Sequence, residues 1–138
     1  MNTENILAVA DAIEHHTIPW LGFNMIGYKA YGVDMTGHNC STTACIAGWV
    51  NAIRFKLQET QPLISGWCEH DGAANWLGLP RHVLGEGDSL SDQLFYARNH
   101  PDYRTGDVQE ACWSTIPADQ AVRTLRHLAA TGTVDWTV

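Results

Sequence analysis

Apolar residues recur at helical spacing near the start of the chain, in residues 4–16. Side chains three or four positions apart share one face of an α-helix, so this pattern predicts an amphipathic helix. The apolar positions are Ile6, Leu7, Ala10 and Ile13. Thr3 is a suitable N-cap, because its hydroxyl can accept a hydrogen bond from a free backbone N–H group. The helix should end before Pro19, whose ring clashes with a continuing helix.

The clearest helical pattern lies in residues 43–57. One predicted face carries Cys45, Trp49, Ile53 and Leu57, and a stripe of small residues beside it consists of Ala44, Gly48 and Ala52. Ser41, Thr42 and Thr43 each offer an N-cap oxygen, which places Cys45 in the first turn. Glycine inside a helix costs about 1 kcal/mol relative to alanine. We therefore expect another part of the backbone to approach Gly48 closely.

Residues 17–40 have no helical period. Glycine recurs there every five residues, a spacing that fits neither a helix nor a strand, and turns are expected. The glycines are Gly22, Gly27, Gly32 and Gly37. This segment is predicted to be a long loop with at most short extended pieces.

Shorter helices are predicted in the second half of the chain. Asp71 can cap a helix through "GAANWLGL", with Trp76 and Leu77 inward, and Ser91 can cap "SDQLFYAR". Pro80 suits the first turn of a helix at "PRHVLG".

A last, longer helix is predicted through "ADQAVRTLRHLAATG". Ser114 or Thr115 would be its cap, Pro117 would lie in its first turn, and Gly132 would end it. Its apolar positions are Ala121, Val122, Leu125, Leu128 and Ala129. The tail after it is expected to pack Val134 and Trp136. Together these patterns predict a mainly α, compact single domain over residues 1–138.

Composition supports a folded domain, and the distribution of charge bears on which classes of partner it could bind. The chain has 138 residues, 45% hydrophobic and 17% charged, with a formal net charge of −7. Its basic residues group closely only at Arg54 with Lys56 and at Arg123 with Arg126. A phosphate backbone needs a broader basic surface, so nucleic-acid binding is disfavoured. The acidic region over residues 69–119 is interpreted as a solvated acidic face, and a docking patch for a basic protein surface is the alternative.

The N-terminal segment has acids and no basic region, so it does not resemble a signal peptide, and no apolar run has the length of a membrane span. A cytoplasmic location is therefore expected. Because cytosolic thiols stay reduced, the even count of four cysteines does not by itself predict disulfides.

The segments "CSTTACIAGW", "AANWLGLP", "QLFYA" and "AVRTLRHLAATGTVDW" resemble a group of small bacterial and phage proteins. That group shares a C-[GS]-T-x-x-C-x-A-G core and a last helix that ends in T-G-x-x-D-W. Ser41 stands here where glycine is usual in the group. The group has no established activity, so the resemblance implies a small intracellular or phage-borne accessory protein and transfers no catalytic residue.

Cys45 is the candidate nucleophile. Free N–H groups and the dipole at a helix N-terminus stabilise a thiolate and lower the pKa of the thiol. His70 is the partner to test, as a general base. The favoured interpretation is nevertheless that Cys45 is a small buried core residue, because free cysteine is among the most buried residue types.

A metal site is a second candidate. His38, Cys40 and Cys45 form one ligand-like cluster, and Cys68 with His70 forms another. Structural zinc takes four such ligands, but the spacing lacks a paired C-x2-C motif. A Cys40–Cys45 disulfide would close a very short loop and stabilise little.

The acidic turn at residues 86–92 is a candidate interaction face. Glu86, Asp88 and Asp92 lie close together in sequence without the alternating ligand pattern of a calcium loop. Helix capping beside a solvated turn is the favoured interpretation.

These observations favour a non-enzymatic role without a cofactor. The predicted function is a small acidic cytoplasmic protein-interaction module, a phage or bacterial accessory inhibitor or regulator, that binds a protein partner or forms a homodimer. A thiol-dependent hydrolase or redox protein built on Cys45 is the alternative.

Overall fold

The computed structural model describes residues 1–23, 25, 43–58, 67–80, 87–101 and 116–138, and within these ranges the protein is mainly helical, as predicted. The helices are α1 (Thr3–Glu14), α2 (Ile46–Arg54), α3 (Trp67–Leu77), α4 (Leu90–Phe95) and α5 (Ala118–Thr131). Two strands of two residues each, β1 (Gly22–Phe23) and β2 (Thr43–Ala44), pair in parallel. Residue 24 and residues 26–42, most of the predicted loop, lie outside the described residues.

Helix α1 starts slightly earlier than its pattern predicts. Its N-cap is Asn2, whose side chain accepts a hydrogen bond from the Asn5 backbone N–H at 3.1 Å, so Thr3 is the first helical residue and not the cap. The buried face consists of Ile6, Val9, Ala10, Ala12 and Ile13. Leu7, predicted to be inward, is 39% exposed. It lies one position off the stripe that faces the core.

Helix α2 is shorter than predicted. It begins at Ile46 with Cys45 as its N-cap residue, so the prediction that Thr43 caps it is wrong. Pairing with β1 holds Thr43 extended and delays the helix start. Ser41 and Thr42 lie outside the described part of the chain.

The two predicted faces of α2 are only partly confirmed. Cys45 and Trp49 are buried, but Ile53 and Leu57 are half-buried and Leu57 follows the helix. The small stripe is reduced in α2 to Gly48 and Ala52, both buried, because Ala44 belongs to β2.

Helix α3 begins before its predicted cap, so Asp71 is an exposed residue inside it. Leu77 is fully buried as predicted, whereas Trp76 is half-buried. Residues 81–86, with most of the predicted helix "PRHVLG", lie outside the described ranges.

Helices α4 and α5 also have different N-caps from those predicted. Ser89, not Ser91, caps α4, and its side chain accepts from the Asp92 backbone N–H at 3.1 Å. Pro117 is the N-cap residue of α5, so it precedes the first turn instead of lying in it. Gly132 ends α5 as predicted, with a positive φ of 78° that glycine adopts without strain.

One apolar core joins the described helices, and α1 packs most closely on α5. The apolar positions of α5 face this core as predicted, and so do Val134 and Trp136 of the tail, which runs through turns. Among the described residues, none of the helices has the length and apolar character that crossing a bilayer requires.

Candidate functional site

Cys45 lies between β2 and the first turn of α2, and its side chain belongs to the apolar core. Only 2% of the residue is exposed. The thiol is free in the sense that it forms no disulfide. A nucleophile must reach its substrate, so this burial favours the core interpretation over the catalytic one.

The electrostatic environment of Cys45 also disfavours a catalytic role, because it disfavours the thiolate. Burial raises the pKa of the Cys45 thiol to about 11, because a thiolate loses its hydration there. The backbone N–H groups of Gly48 and Ala47 oppose this effect but do not overcome it. No side-chain cap hydrogen bond forms at this helix start. The predicted lowering of the pKa by the helix N-terminus is therefore outweighed by burial.

We expect Cys45 to make stability depend on pH above neutrality. In the unfolded chain the thiol ionises near its ordinary pKa of 9.0, whereas in the folded protein it stays protonated until about pH 11. Its contribution to the free energy of unfolding is thus intact below pH 9 and declines between pH 9 and 11. At about 1.4 kcal/mol per pH unit, the free energy of unfolding falls by roughly 3 kcal/mol over this range. Urea unfolding followed by circular dichroism at several pH values measures it.

Cys45→Ala is the matched control, because it removes the thiol and keeps a small apolar side chain. Burial also raises the pKa of Tyr96, so part of the alkaline loss should persist in this variant. Iodoacetamide labelling read by peptide mass spectrometry provides an independent check, and Cys45 should stay unmodified at neutral pH until the protein unfolds. Rapid native labelling of Cys45, or identical pH profiles for the two proteins, would contradict the buried-thiol assignment.

His70, the candidate base, lies on α3 and is half-buried. Its ring stacks on Tyr96 with centroids 5.3 Å apart and is 6.0 Å from the ring of Phe95. Cys45 and Phe95 both belong to the apolar core, and Tyr96 packs against that core. Aromatic packing on Tyr96 and Phe95 contributes to the position of His70.

The predicted metal ligands fall mostly outside the described residues. This holds for His38 and Cys40 and for the side chain of Cys68, so the zinc cluster stays a hypothesis. In the part of the chain that is described, no three His, Cys, Asp or Glu residues form a group suited to a metal ion.

The described members of the predicted acidic face have local structural roles. Asp92 completes a capping box, since its carboxylate accepts from the Ser89 backbone N–H at 3.1 Å. Asp88 pairs with Arg98 at 2.9 Å. These contacts agree with capping beside a solvated turn; Glu86 lies outside the described residues.

Sequence reasoning missed the exposed corner that follows α2. Phe55 is 53% exposed, the highest value among the large apolar side chains in the described ranges. The Arg54 guanidinium carbon lies 4.2 Å from the centroid of the Phe55 ring, within the range of a cation–π interaction. We call Arg54, Phe55 and Lys56 the α2 corner. The only sign of it in the sequence was the grouping of Arg54 with Lys56.

The backbone of the α2 corner turns sharply. Lys56 and Leu57 donate backbone hydrogen bonds to Ile53 and Ala52 at 3.2 and 3.0 Å, which is the Schellman arrangement. Lys56 occupies its left-handed position with φ of 51°, where glycine is usual. The turn ends α2 and leaves both Phe55 and Lys56 exposed to solvent.

The cations of the α2 corner differ from the other described arginines. Those arginines form ion pairs: Arg98 with Asp88, Arg123 with Asp119, and Arg126 with Asp11 and Glu14. Neither Arg54 nor Lys56 forms an ion pair with any carboxylate whose side chain the structure describes, a set that leaves out Glu69 of α3. In a chain with 15 acids and 8 lysines and arginines, two such cations beside an exposed aromatic ring mark a distinct surface.

A groove of about 470 Å³ lies between α1 and α5 and is a second feature of the surface to consider. Ile13 and Val122 contribute to its lining, but both are nearly fully buried. Arg123 and Arg126 on its rim already pair with acids. The groove is therefore best explained as a seam of helix packing, and the α2 corner is the better candidate site.

Comparisons with known proteins found no relative of this chain. No protein-family description matches the chain, and neither a curated protein nor a solved structure matches it.

Proposed function

We propose that this protein is a small acidic protein-interaction module of the bacterial or phage cytoplasm, which inhibits or regulates another protein by binding it. The observation that carries the proposal is the α2 corner, where an exposed aromatic ring is held beside two cations that form no ion pair with the described residues. Aromatic and arginine side chains are enriched in protein interfaces and frequently dominate their energetics. The burial of Cys45 weighs against the thiol-enzyme alternative.

Photo-crosslinking in cells of the native host tests this proposal. A benzophenone amino acid replaces Phe55 in one variant and Leu7 in a control variant, since Leu7 is also an exposed apolar residue. We expect Phe55-site adducts of discrete mass that contain one other protein, with few or none from the Leu7 site. Adducts that contain only a second copy of this chain would indicate a homodimer instead.

The same experiment can reject the proposal. Absence of protein adducts at both sites, with rapid native alkylation of Cys45, would favour the thiol-dependent alternative. Circular dichroism of the purified variants verifies that both are folded before the comparison is made.

A further inference from the structure

Gly72, in the middle of α3, leaves space for the Arg54 guanidinium. A Cβ atom built on Gly72 would lie 2.5 Å from Arg54 Nη1 and 2.9 Å from Nη2. Such separations are too short for any real side chain, so Arg54 occupies the volume that a residue other than glycine would fill. Glycine is among the least favourable residues in a helix interior, and this packing gives a local reason for its presence.

Two contacts position the Arg54 guanidinium within the α2 corner. The guanidinium is held against α3 at Gly72 and also lies over the Phe55 ring, 4.2 Å from its centroid. Less side-chain freedom is then lost when a partner binds, and a preformed surface binds more tightly for that reason.

The charges define the chemistry of the partner. Arg54 and Lys56 are two cations without an ion pair among the side chains that the structure describes, in a chain whose net charge is −7. A complementary surface would carry carboxylates around an apolar side chain that covers Phe55. We propose that the α2 corner binds an acidic segment of another protein through one apolar contact and flanking carboxylates, with Gly72 as the residue that positions Arg54. This inference rests on the proposed function and specifies its partner.

Selection from a random peptide library tests the inference even though the partner is unidentified. Phage-displayed peptides of about 12 residues are selected on the wild-type protein, and the enriched peptides are synthesised and titrated by fluorescence anisotropy. We expect enrichment of Asp and Glu around one aromatic or aliphatic residue. Phe55→Ala should weaken binding about tenfold or more, as expected for a central interface residue.

Matched variants test separately the charge of Lys56, the contact made by Phe55 and the positioning of Arg54 by Gly72. Lys56→Glu should weaken binding several-fold, whereas Arg123→Glu, which changes the net charge equally, should not. Leu7→Ala is the apolar control for Phe55→Ala. Gly72→Ala should weaken binding several-fold without lowering the melting temperature, because the added methyl group displaces only the flexible end of Arg54. A purely structural role for Gly72 would leave binding unchanged.

Other outcomes overturn the inference in distinguishable ways. If Phe55→Ala does not weaken binding of the selected peptides, the interface lies elsewhere on the protein and this inference is refuted, whereas the proposed function is not. A basic or empty selected pool would refute the acidic partner, and the crosslinking experiment would still judge the proposed function by itself. Binding to phosphatidylserine vesicles that requires Phe55, in the absence of peptide binding, would assign the corner to a lipid surface and refute the inference.

Discussion

Trp136→Ala is expected to lower the free energy of unfolding by about 3–5 kcal/mol, the range for removing a large buried aromatic side chain. Trp136 is 1% exposed, and its indole N–H donates to the backbone carbonyl of Gln93 at 2.9 Å. This residue therefore joins the C-terminal tail to α4. The substitution would open a cavity and also remove that hydrogen bond.

Hydrogen bonds around the C-terminal tail explain why Trp136 alone should have a large effect on the free energy of unfolding. Side chains of Asn99, Gln120 and Thr124 donate hydrogen bonds to tail carbonyls at 2.6, 2.7 and 3.1 Å. The acceptors of these bonds are the backbone oxygens of Val134, Trp136 and Asp135. All three bonds depend on the position of the tail, so the loss of its anchor should weaken them together.

Urea unfolding followed by circular dichroism measures the effect. Trp136→Phe keeps most of the apolar volume and loses the N–H donor, so we expect about 1–2 kcal/mol for that variant. Trp20→Ala is the control, because Trp20 is only half-buried and should cost less. A loss below about 1 kcal/mol for Trp136→Ala would mean that the tail is not an integral part of the core.

The positions of the main helices could be predicted, but the residues at which the helices begin could not. Apolar periodicity located α1, α2 and α5, because their buried faces repeat over two turns or more. N-caps depend on which of several adjacent polar residues adopts the extended conformation, and tertiary contacts decide that choice. Thr43 illustrates the point, since strand pairing removes it from the helix start.

The candidate site was harder to predict for the same physical reason. The sequence drew attention to Cys45 through the chemistry of a thiol at a helix start, yet burial depends on what packs over it. The α2 corner depends on where α2 ends, on the left-handed Lys56 and on Gly72, which lies in another helix. No local pattern contains that combination.

A second large effect is expected for Trp49→Ala, again about 3–5 kcal/mol of unfolding free energy. Trp49 is 1% exposed, and its indole N–H donates to the backbone carbonyl of Gly22 at 3.1 Å, so it connects α2 with β1. The ring of His16 lies 6.3 Å away, and His16 in turn donates through Nε2 to the Leu21 carbonyl at 2.9 Å. Loss of the indole should loosen the connection between α1 and β1 as well as the core.

Trp49→Ala should also change the reactivity of the Cys45 thiol. This change distinguishes a local cavity at position 49 from a general loss of stability. Trp49 follows Cys45 by one helical turn, and its backbone N–H donates to the Cys45 carbonyl at 2.9 Å, so the two side chains share one face. A cavity at position 49 should admit reagent, and native Cys45 should then react with iodoacetamide well below the denaturant midpoint. Trp49→Phe, expected to cost about 1–2 kcal/mol, should keep Cys45 protected because the ring volume remains. If Trp136→Ala exposed Cys45 equally at matched stability, the protection would come from the global fold and not from Trp49.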